Sequence, residues 1–460
     1  MVSFWEIVRR SESGPIVSEK EFDINFIGSK ILELQKEYDI RYDPENLIPI
    51  DDDLVDKVWQ AAIDLLLHAG IYHLGTKRCI RFSEEEIKDE LKTTPRKIKL
   101  GIAKDEVEVI SRKVEDSNKP VIFGGPHNAP VSENLFIKLN QAYAQERLIN
   151  VLLMPGQIQS IEGMMVRAGS ALEVQAARCY GEWARSAIRK AGRPNMAIVA
   201  WAGGVTSLNE LAASDPENGL RRLDPRCVIF MPELKVDDLN LSKAAYYLSH
   251  GCPIYCAFLP LIGGFAGDPA GTAIIAVAYH IASRVVFKAS ILHFGPQHLY
   301  YHQQSNPQSI FMNSLAGQAV SKNSSLIRVT SATVSARPFT EQIHYEGAAI
   351  ALASVTSGSH VVGGPRPAKT LFLNHVSPLD TRVYAKVSIA ASKIKKEDAN
   401  EIIKELIKKY EDKIELDKAP IGKPFEECYD LETLTPKKDY VELCNKVEKE
   451  LIELGIPIDD

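Results

Sequence analysis

The segment AGRPNMAIVAWAGG, residues 191–204, decides the fold. Gly192 and Pro194 are residues that typically end helices, and they close a predicted helix over residues 170–190. Residues 196–201 then form a predicted strand that is apolar at every position. Because such a strand must be covered on both faces, it is typical of a parallel sheet flanked by helices.

The two ends of this unit carry the signals of a helix start and of a ligand-binding loop. Ser170 and Glu173 match a capping box that opens the helix. Gly203 and Gly204 follow the strand, where a glycine loop lets the backbone approach a ligand closely. The carboxyl ends of parallel strands are where α/β folds place their chemistry. An ordinary strand-to-helix turn is the alternative interpretation, since glycine is common in turns.

Short apolar runs alternate with helical stretches from residue 120 onward. The eight runs are residues 121–123, 150–154, 196–201, 227–231, 254–257, 290–293, 326–330 and 360–362. Eight βα units over about 240 residues predict a (β/α)8 TIM barrel, whose closed sheet leaves no unpaired edge. The alternative is an open doubly wound sheet, which calls for a GxGxxG turn after its first strand. The sequence there, GGPHNAP, lacks that spacing.

The chain divides into three predicted regions. Residues 1–118 form a mainly helical N-terminal cap, in which Ser83 and Glu86 match a second capping box. Residues 119–365 form the barrel. Residues 366–460 form a C-terminal helical extension packed on the barrel, and its Lys/Glu-rich helices expose a charged face to solvent.

Composition excludes several classes of protein. The 460 residues carry 54 Lys and Arg against 60 Asp and Glu, a net charge of -6, with no long basic tract. We therefore expect no nucleic-acid partner. The N-terminus resembles no secretory signal, and the longest apolar stretch, residues 270–282, is too short to span a bilayer. Seven scattered cysteines are typical of reduced thiols. These features predict a cytoplasmic protein without a membrane partner.

In a barrel, the loops that follow the strands converge on one mouth. They supply a polar set with aromatic members: His127, Asn128, Gly156, Gln157, Trp201, Glu233, Lys235, Gly263, Gly264, His298, Tyr300, Tyr301, His302, Arg337 and Arg366. Glu233 comes directly after a predicted strand, a position that supports a general acid/base or cation-binding role as well as it supports a surface carboxylate.

The densest part of this set is HFGPQHLYYH, residues 293–302. Its three histidines, His293, His298 and His302, could hold a zinc ion that activates water. Their spacing matches no known metal motif, so we favour histidines that form hydrogen bonds or contact the substrate, with no metal. A metal-dependent barrel hydrolase or lyase stays open as the alternative.

Several segments resemble the monomethylamine:corrinoid methyltransferase family of methanogenic archaea. They are GIYHLGTKR from Gly70, GGPHNAPVSEN from Gly124, AGRPNMA from Ala191, PLIGGFAG from Pro260, HFGPQH from His293 and APIGKPFEECYDLETLTP from Ala419. The resemblance implies a (β/α)8 barrel that forms a homo-oligomer. It also implies transfer of a methyl group from a small methylated substrate to the Co(I) of a corrinoid. That corrinoid is carried by a separate small protein, and none is held tightly by this chain.

The sequence departs from the family at two positions. The family places a pyrrolysine after AGRPxMxV, and its ring imine holds the amine. The matching residue here is Val199, which has no electrophile, so covalent capture of an amine is excluded. Residues 256–259, Cys-Ala-Phe-Leu, replace a segment that carries a carboxylate in the family. Glu233 in PELK does match the family's NELK segment. Losing both groups indicates a changed substrate.

The resemblance and the mouth residues together predict the site. The predicted catalytic positions are Glu233, Val199 as the site of the lost pyrrolysine, and His298. The predicted substrate-binding residues are Trp201, Tyr300, Tyr301, His302, Arg337, His127 and Asn128. A quaternary ammonium donor needs no imine, and Trp201, Tyr300 and Tyr301 could face its charge while Glu233 balances it. A relic that only binds a corrinoid protein or stabilises an oligomer is the non-enzymatic alternative.

Overall fold

Eight parallel strands form one sheet in the computed structural model, which describes residues 2–201, 206–214, 219–370 and 372–459. They are β1 (Ile122–Gly124), β2 (Val151–Leu153), β3 (Ile198–Val199), β4 (Arg226–Ile229), β5 (Ile254–Phe258), β6 (Ile291–Phe294), β7 (Arg328–Val334) and β8 (His360–Pro367). Their order in the sheet is β3-β2-β1-β8-β7-β6-β5-β4.

The two ends of that sheet meet, so the barrel is closed. Ala200, directly after β3, donates its N–H to the carbonyl of Pro225 at 2.9 Å, and its own carbonyl accepts from the N–H of Cys227 at 3.1 Å. The predicted (β/α)8 barrel is therefore confirmed, and the open doubly wound sheet is excluded. The predicted glycine loop, Gly203 and Gly204, lies outside the described residues.

A helix follows each strand. The eight helices are α1 (Phe136–Gln145), α2 (Ala171–Lys190), α3 (Ser207–Ala213), α4 (Asp238–Ser249), α5 (Pro269–Phe287), α6 (Pro307–Asn323), α7 (Glu341–Thr356) and α8 (Pro378–Ala391). In the described part of the chain, α5 alone is long and apolar enough to cross a membrane, and 94% of its apolar window is buried within the fold. It packs against α6 and against the N-terminal helix Asp52–Ala69, as a core helix does.

The helix α2 begins differently from the prediction. Ser170 is its N-cap residue, but its side chain makes no capping bond. The Glu173 carboxylate instead accepts from the N–H of Gly169 at 2.5 Å and from the N–H and hydroxyl of Thr206 at 3.0 and 2.8 Å. The predicted capping box is therefore wrong, because Glu173 is buried and joins the start of α2 to the start of α3.

The N-terminal region combines helices with short strands. Its helices are Phe4–Ser13, Glu19–Glu21, Phe22–Ser29 (a π-helix), Lys30–Tyr38, Asp52–Ala69 and Glu84–Lys92, and its hairpins are Ile71–His73 with Arg78–Ile80 and Lys97–Leu100 with Val107–Ile110. The capping box of Ser83 and Glu86 is confirmed. Leu100 and Val109 of the second hairpin join the apolar cluster inside the barrel. The hairpin therefore covers one end of the barrel, and the open end is the opposite one.

The C-terminal region adds the helices Lys396–Lys408, Phe425–Cys428 and Lys438–Glu453. The last of them packs on α7 and α8. Helix α8 contacts β8 and β1 as the eighth barrel helix, although it lies within the predicted C-terminal extension. The division into three regions stays a prediction.

Side chains on alternate strand positions point into the barrel and form one apolar cluster. The cluster includes Phe123, Val151, Leu153, Ala197, Val199, Cys227, Tyr255, Ala257, Ile291 and Val329. Val199 is fully buried there and pairs in register with Leu153 of β2. The position predicted to match the family's pyrrolysine, Val199, therefore lies in the barrel interior, at the carboxyl end of β3.

Candidate active site at the carboxyl ends of the strands

The loop after β1 turns His127 into the barrel. His127 and Asn128 both have positive φ angles, 51° and 60°, and the Asn128 N–H donates to the carbonyl of Met154 at 3.1 Å. The His127 ring lies against β8 at Gly363, where an added Cβ would come within 2.8 Å of His127 Nδ1. Glycine on β8 therefore makes room for this imidazole.

Three rings meet in the barrel interior. The ring centroids of His127 and His293 are 5.2 Å apart, and those of Tyr255 and His293 are 5.4 Å apart. Among the described residues, His127 Nδ1, both ring nitrogens of His293 and the Tyr255 hydroxyl are buried without a hydrogen-bond partner. Buried polar atoms are normally paired, so these atoms mark the centre of the candidate site.

Arg366 completes this group from β8. Burial lowers the pKa of its guanidinium to about 10, yet the side chain is partly exposed and its Nε has no partner in the described chain. Burial, and then the Arg366 charge, lower the pKa of His127 well below its usual value and that of His293 to about 3. Both imidazoles are therefore neutral. We call His127, Tyr255, His293 and Arg366 the lumen group.

Glu233 lies four residues after the end of β4, the strand opposite β8 in the barrel order. Its side chain is 3% exposed, and burial, with the nearby Asp23 charge second, raises its carboxyl pKa to about 7. It borders a cavity of about 430 Å³, together with Gly263 and Gly264. An added Cβ at Gly264 would come within 2.9 Å of Glu233 Oε1, so this glycine permits the loop to pass close to the carboxylate. Near neutral pH, Glu233 can hold or release a proton.

Comparison with known proteins identifies the family of this barrel. A family model described as monomethylamine methyltransferase MtmB matches residues 2–456. The chain belongs to the monomethylamine methyltransferase family. The predicted resemblance is thereby confirmed, and the protein is a member of a methyltransferase family.

Relatives and solved structures extend over nearly the whole chain. Monomethylamine methyltransferase MtmB of Methanosarcina mazei and MtmB1 of Methanosarcina barkeri are both 29% identical over 454 residues, and each match covers 98% of both chains. The crystal structure of the Methanosarcina barkeri monomethylamine methyltransferase superimposes with a TM-score of 0.95 at 28% identity, covering 98% of both chains. The crystal structure of the hydroxylamine MtmB complex gives the same values. The MtmB fold is therefore retained in full.

The predicted residues of the loop after β6 in this MtmB homologue do not join the lumen group. His298 Nδ1 accepts from the N–H groups of Tyr300 and Tyr301 at 3.1 and 3.3 Å. Its Nε2 therefore carries the hydrogen and donates to Gln308 Oε1 at 3.0 Å. These bonds make His298 a residue that holds the loop in shape. Its predicted catalytic role, and the substrate-binding role of His302, stay predictions.

The three aromatic residues proposed to face a cation lie apart. Trp201 packs on the apolar cluster inside the barrel. The Tyr300 ring is 64% exposed and meets Tyr301 edge-on at 4.9 Å. Among the described rings, Trp201 makes no ring contact with either tyrosine. The three rings therefore do not come together as the predicted aromatic cage in this structure.

Arg337 and Lys235 have structural contacts at the mouth. The Arg337 guanidinium carbon lies 3.6 Å from the centre of the Phe372 ring, although its Nη1 has no described hydrogen-bond partner. Lys235 forms ion pairs with Glu19 at 2.7 Å and Asp23 at 2.8 Å, which tie the N-terminal region to the loop after β4. The substrate-binding roles of Arg337 and Asn128 stay predictions.

The alternative in which His293, His298 and His302 hold a zinc ion finds no such cluster among the described residues. Within the described ranges, the group whose ligand atoms all lie within 4.8 Å of one another is His344, Asp380 and Cys444, outside the barrel interior. There the Tyr440 hydroxyl donates to Asp380 at 2.5 Å. The residues of this cluster therefore also connect α7, α8 and the last helix. The hydrolase or lyase alternative loses the metal centre on which it depended.

Large apolar side chains are exposed on the loops after β5, β6 and β8. We call this surface the apolar rim, and its residues are Phe265 (50% exposed), Leu299 (54%), Tyr300 (64%), Phe372 (38%) and Leu373 (47%). Exposed apolar groups of this kind mark surfaces that contact a partner.

Three members of the lumen group are absent from the predicted catalytic and substrate-binding residues. His293 was considered only within the three histidines of residues 293–302. Tyr255 was counted only as part of an apolar run, and Arg366 only as one of many mouth residues. A signal for Tyr255 did exist, because it alternates with Cys256 and Phe258, which pack outward, and so shares the inward face with Ala257. A hydroxyl on that face has to find a partner inside the barrel.

Proposed function

We propose that this chain transfers a methyl group from a small methylated amine, or a related donor, to the Co(I) of a corrinoid bound to a separate carrier protein. It does so without pyrrolysine. The observation that carries the proposal is the environment of Val199. The residue at the family's pyrrolysine position lies in an interior that still gathers buried polar atoms without described partners.

The chemistry requires alignment rather than covalent capture. The bond between nitrogen and the methyl carbon breaks, its electron pair stays on nitrogen, and the electron pair of Co(I) forms the new bond. The corrinoid supplies this nucleophile from the carrier protein. A nitrogen that is already quaternary, or that is protonated, leaves without an imine. The barrel interior holds the donor so that its methyl group faces the mouth, which is the positioning contribution of an enzyme site.

Glu233 supplies the acid–base function in this proposal. Its pKa of about 7 lies near the pH of the cell, where a general acid is most effective. The protonated form can protonate an amine donor before the methyl group leaves. The ionised form can balance the charge of a quaternary donor.

The apolar rim supplies the docking surface for the corrinoid carrier. It surrounds the carboxyl ends of the strands, where a corrinoid must approach to reach a donor in the barrel. Assembly into a homo-oligomer and a cytoplasmic location belong to the same proposal and rest on the family resemblance.

A cobalt methylation assay tests the proposal. Purified protein is mixed with a reduced corrinoid carrier protein and, in parallel, with free cobalamin reduced to Co(I). Each donor of a panel of methylated amines and betaines is added, and the loss of Co(I) absorbance is followed. At least one donor should be demethylated at a rate proportional to the enzyme concentration. No turnover with any donor on either acceptor would contradict the proposal and favour the non-catalytic relic.

A further inference from the structure

We infer that Arg366 binds an anionic group of the methyl donor, so that the donor is a zwitterion with a carboxylate and a methylated nitrogen. The inference rests on the proposed function and deepens it, because it names the class of substrate for the same site. It starts from the one cation that the lumen group contains.

Several buried or half-buried arginines in this fold have polar partners, whereas Arg366 has none that the described chain provides and Arg337 has only the Phe372 ring. Arg185 pairs with Asp224, and Arg382 pairs with Glu146 at 2.7 Å. Arg328 donates to His280 Nε2 and to the Ser357 carbonyl, both at 3.2 Å. Arg366 has no ion pair within the described residues, and its Nε is buried without a partner. Burying a charge without a partner is costly, so an anion on this guanidinium would offset that cost.

The neighbours of Arg366 can add hydrogen-bond donors for an anion. His127 and His293 are neutral, so each offers one N–H donor, and the Tyr255 hydroxyl offers a third. A guanidinium matches a carboxylate through two parallel hydrogen bonds. A methylammonium ion that entered this group alone would meet a fixed positive charge and be repelled.

The barrel also separates charge across its width. In the strand order β3-β2-β1-β8-β7-β6-β5-β4, the strands β8 and β4 lie opposite each other. Arg366 is on β8, and Glu233 follows β4. A donor with its carboxylate on Arg366 would therefore direct its methylated nitrogen toward the Glu233 side. This polarity fits an N-methylated amino acid or a betaine and gives a simple methylamine no second anchor.

Binding experiments without corrinoid test the inference separately from methyl transfer. Trimethylglycine is compared with choline, which keeps the trimethylammonium group but has a hydroxyl in place of the carboxylate, and with trimethylamine. Dimethylglycine and N-methylglycine complete the series. Titration calorimetry should show at least one carboxylated ligand binding about ten times or more tightly than choline and trimethylamine. Equal or tighter binding of the ligands without a carboxylate would overturn the inference.

Variants assign the effect to the residue. Arg366→Met should abolish the preference for the carboxylate, and Arg366→Lys should keep part of it. The matched control is Arg41→Met, since Arg41 is 83% exposed in a surface ion pair. An Arg366→Met protein that keeps the preference would overturn the inference, as would one that binds donors normally but loses affinity for the corrinoid carrier. If that variant does not fold, the ligand comparison on the unaltered chain still decides.

The outcomes of the two proposals are distinguishable. Carboxylate-dependent binding with no methylation of cobalt would contradict the proposed function and leave the anion site standing. Demethylation of an uncharged or purely cationic amine at equal rates by the unaltered chain and by Arg366→Met would support the proposed function and contradict the anion site.

Discussion

Two buried polar groups at the carboxyl end of the barrel differ in how their atoms are satisfied. On α7, the Glu346 carboxylate is completely buried and accepts hydrogen bonds from five donors. They are the Ser305 hydroxyl (2.5 Å), the Ser335 N–H (2.8 Å) and hydroxyl (2.7 Å), the Ala336 N–H (3.1 Å) and the Gln342 side chain (2.9 Å). In the lumen group, by contrast, five polar atoms of four side chains lack described partners.

The difference separates groups that stabilise the fold from groups that await a ligand. A fully bonded buried carboxylate joins the loops after β6 and β7 to α7, and each of its bonds favours the folded state. Unpaired buried atoms cost stability, and proteins keep them where function requires them. The lumen group should therefore contribute to binding, and Glu346 to folding.

Glu346→Ala should produce the largest effect on stability. The substitution leaves the Ser335 N–H and hydroxyl and the Ala336 N–H without an acceptor, while Ser305 and Gln342 keep other acceptors. We expect the free energy of unfolding to fall by about 4 kcal/mol. Urea unfolding measures the change. Glu346→Gln, which keeps the size and one acceptor oxygen, should lose less. A loss of under about 1 kcal/mol for the alanine variant would remove the distinction between the two groups.

Glu233→Gln tests the buried carboxyl that follows β4, the strand opposite β8 in the barrel. The folded-state pKa of about 7 lies above the usual 4.5, so the folded state holds the proton more tightly than the unfolded chain does. The contribution of Glu233 protonation to the free energy of unfolding is fully present below pH 4.5. It is lost as the pH rises through 7, and the loss amounts to about 3 kcal/mol. Glutamine cannot ionise, so the variant should gain stability relative to the unaltered chain between pH 5 and pH 8.

Urea unfolding at these two pH values measures that gain, and methyl transfer supplies a second measurement. If Glu233 acts as the acid, the rate for the unaltered chain declines above pH 7, and the variant loses that pH dependence. Parallel stability profiles for the two proteins would show that the Glu233 carboxyl ionises normally.

Hydrophobic patterning was sufficient to predict the barrel. Each predicted run is short and mainly apolar and is followed by a helical stretch, and this repeat has few alternatives once eight units are counted. The local prediction at Ser170 and Glu173 was wrong because tertiary contact with Thr206 outweighed the local capping motif. A capping box depends on residues three positions apart, whereas Glu173 accepts a hydrogen bond from Thr206, thirty-three positions away.

The site was harder to predict, because the place of a residue in a loop at the barrel mouth does not determine where its side chain points. The His127 side chain points into the barrel because His127 and Asn128 both have positive φ angles and a glycine on β8 leaves room for the ring. No sequence motif predicts this conformation. His298 looks equally polar in the sequence, but its ring nitrogens bond to its own loop and to Gln308 in the first turn of α6. Arg366 became recognisable only when its unpaired Nε was seen beside the unpaired atoms of His127, Tyr255 and His293.

His293→Leu tests the lumen side of the comparison directly. Leucine is close to histidine in size, and the substitution removes two buried nitrogens that have no described partner. We expect the free energy of unfolding to change by less than about 1 kcal/mol or to rise. The kcat/KM for methyl transfer should fall about 100-fold, which corresponds to about 2.7 kcal/mol of transition-state stabilisation. A protein that loses stability and keeps its activity would make His293 a structural residue like Glu346.

The smallest expected effect belongs to the apolar rim, which distinguishes docking from donor binding. Leu373→Asp places a charge on a side chain that is 47% exposed. We expect a rate about tenfold lower with a carrier-bound corrinoid, equivalent to about 1.4 kcal/mol, and an unchanged rate with free cobalamin. Leu32→Asp is the matched control, because Leu32 is 58% exposed on the N-terminal helix Lys30–Tyr38. Equal losses with both acceptors would mean that Leu373 acts on the donor site, and equal losses in both variants would mean that the rim has no special role. A loss confined to Leu373→Asp and to the carrier would show that the mouth uses its apolar surface for the partner and its unpaired polar atoms for the donor.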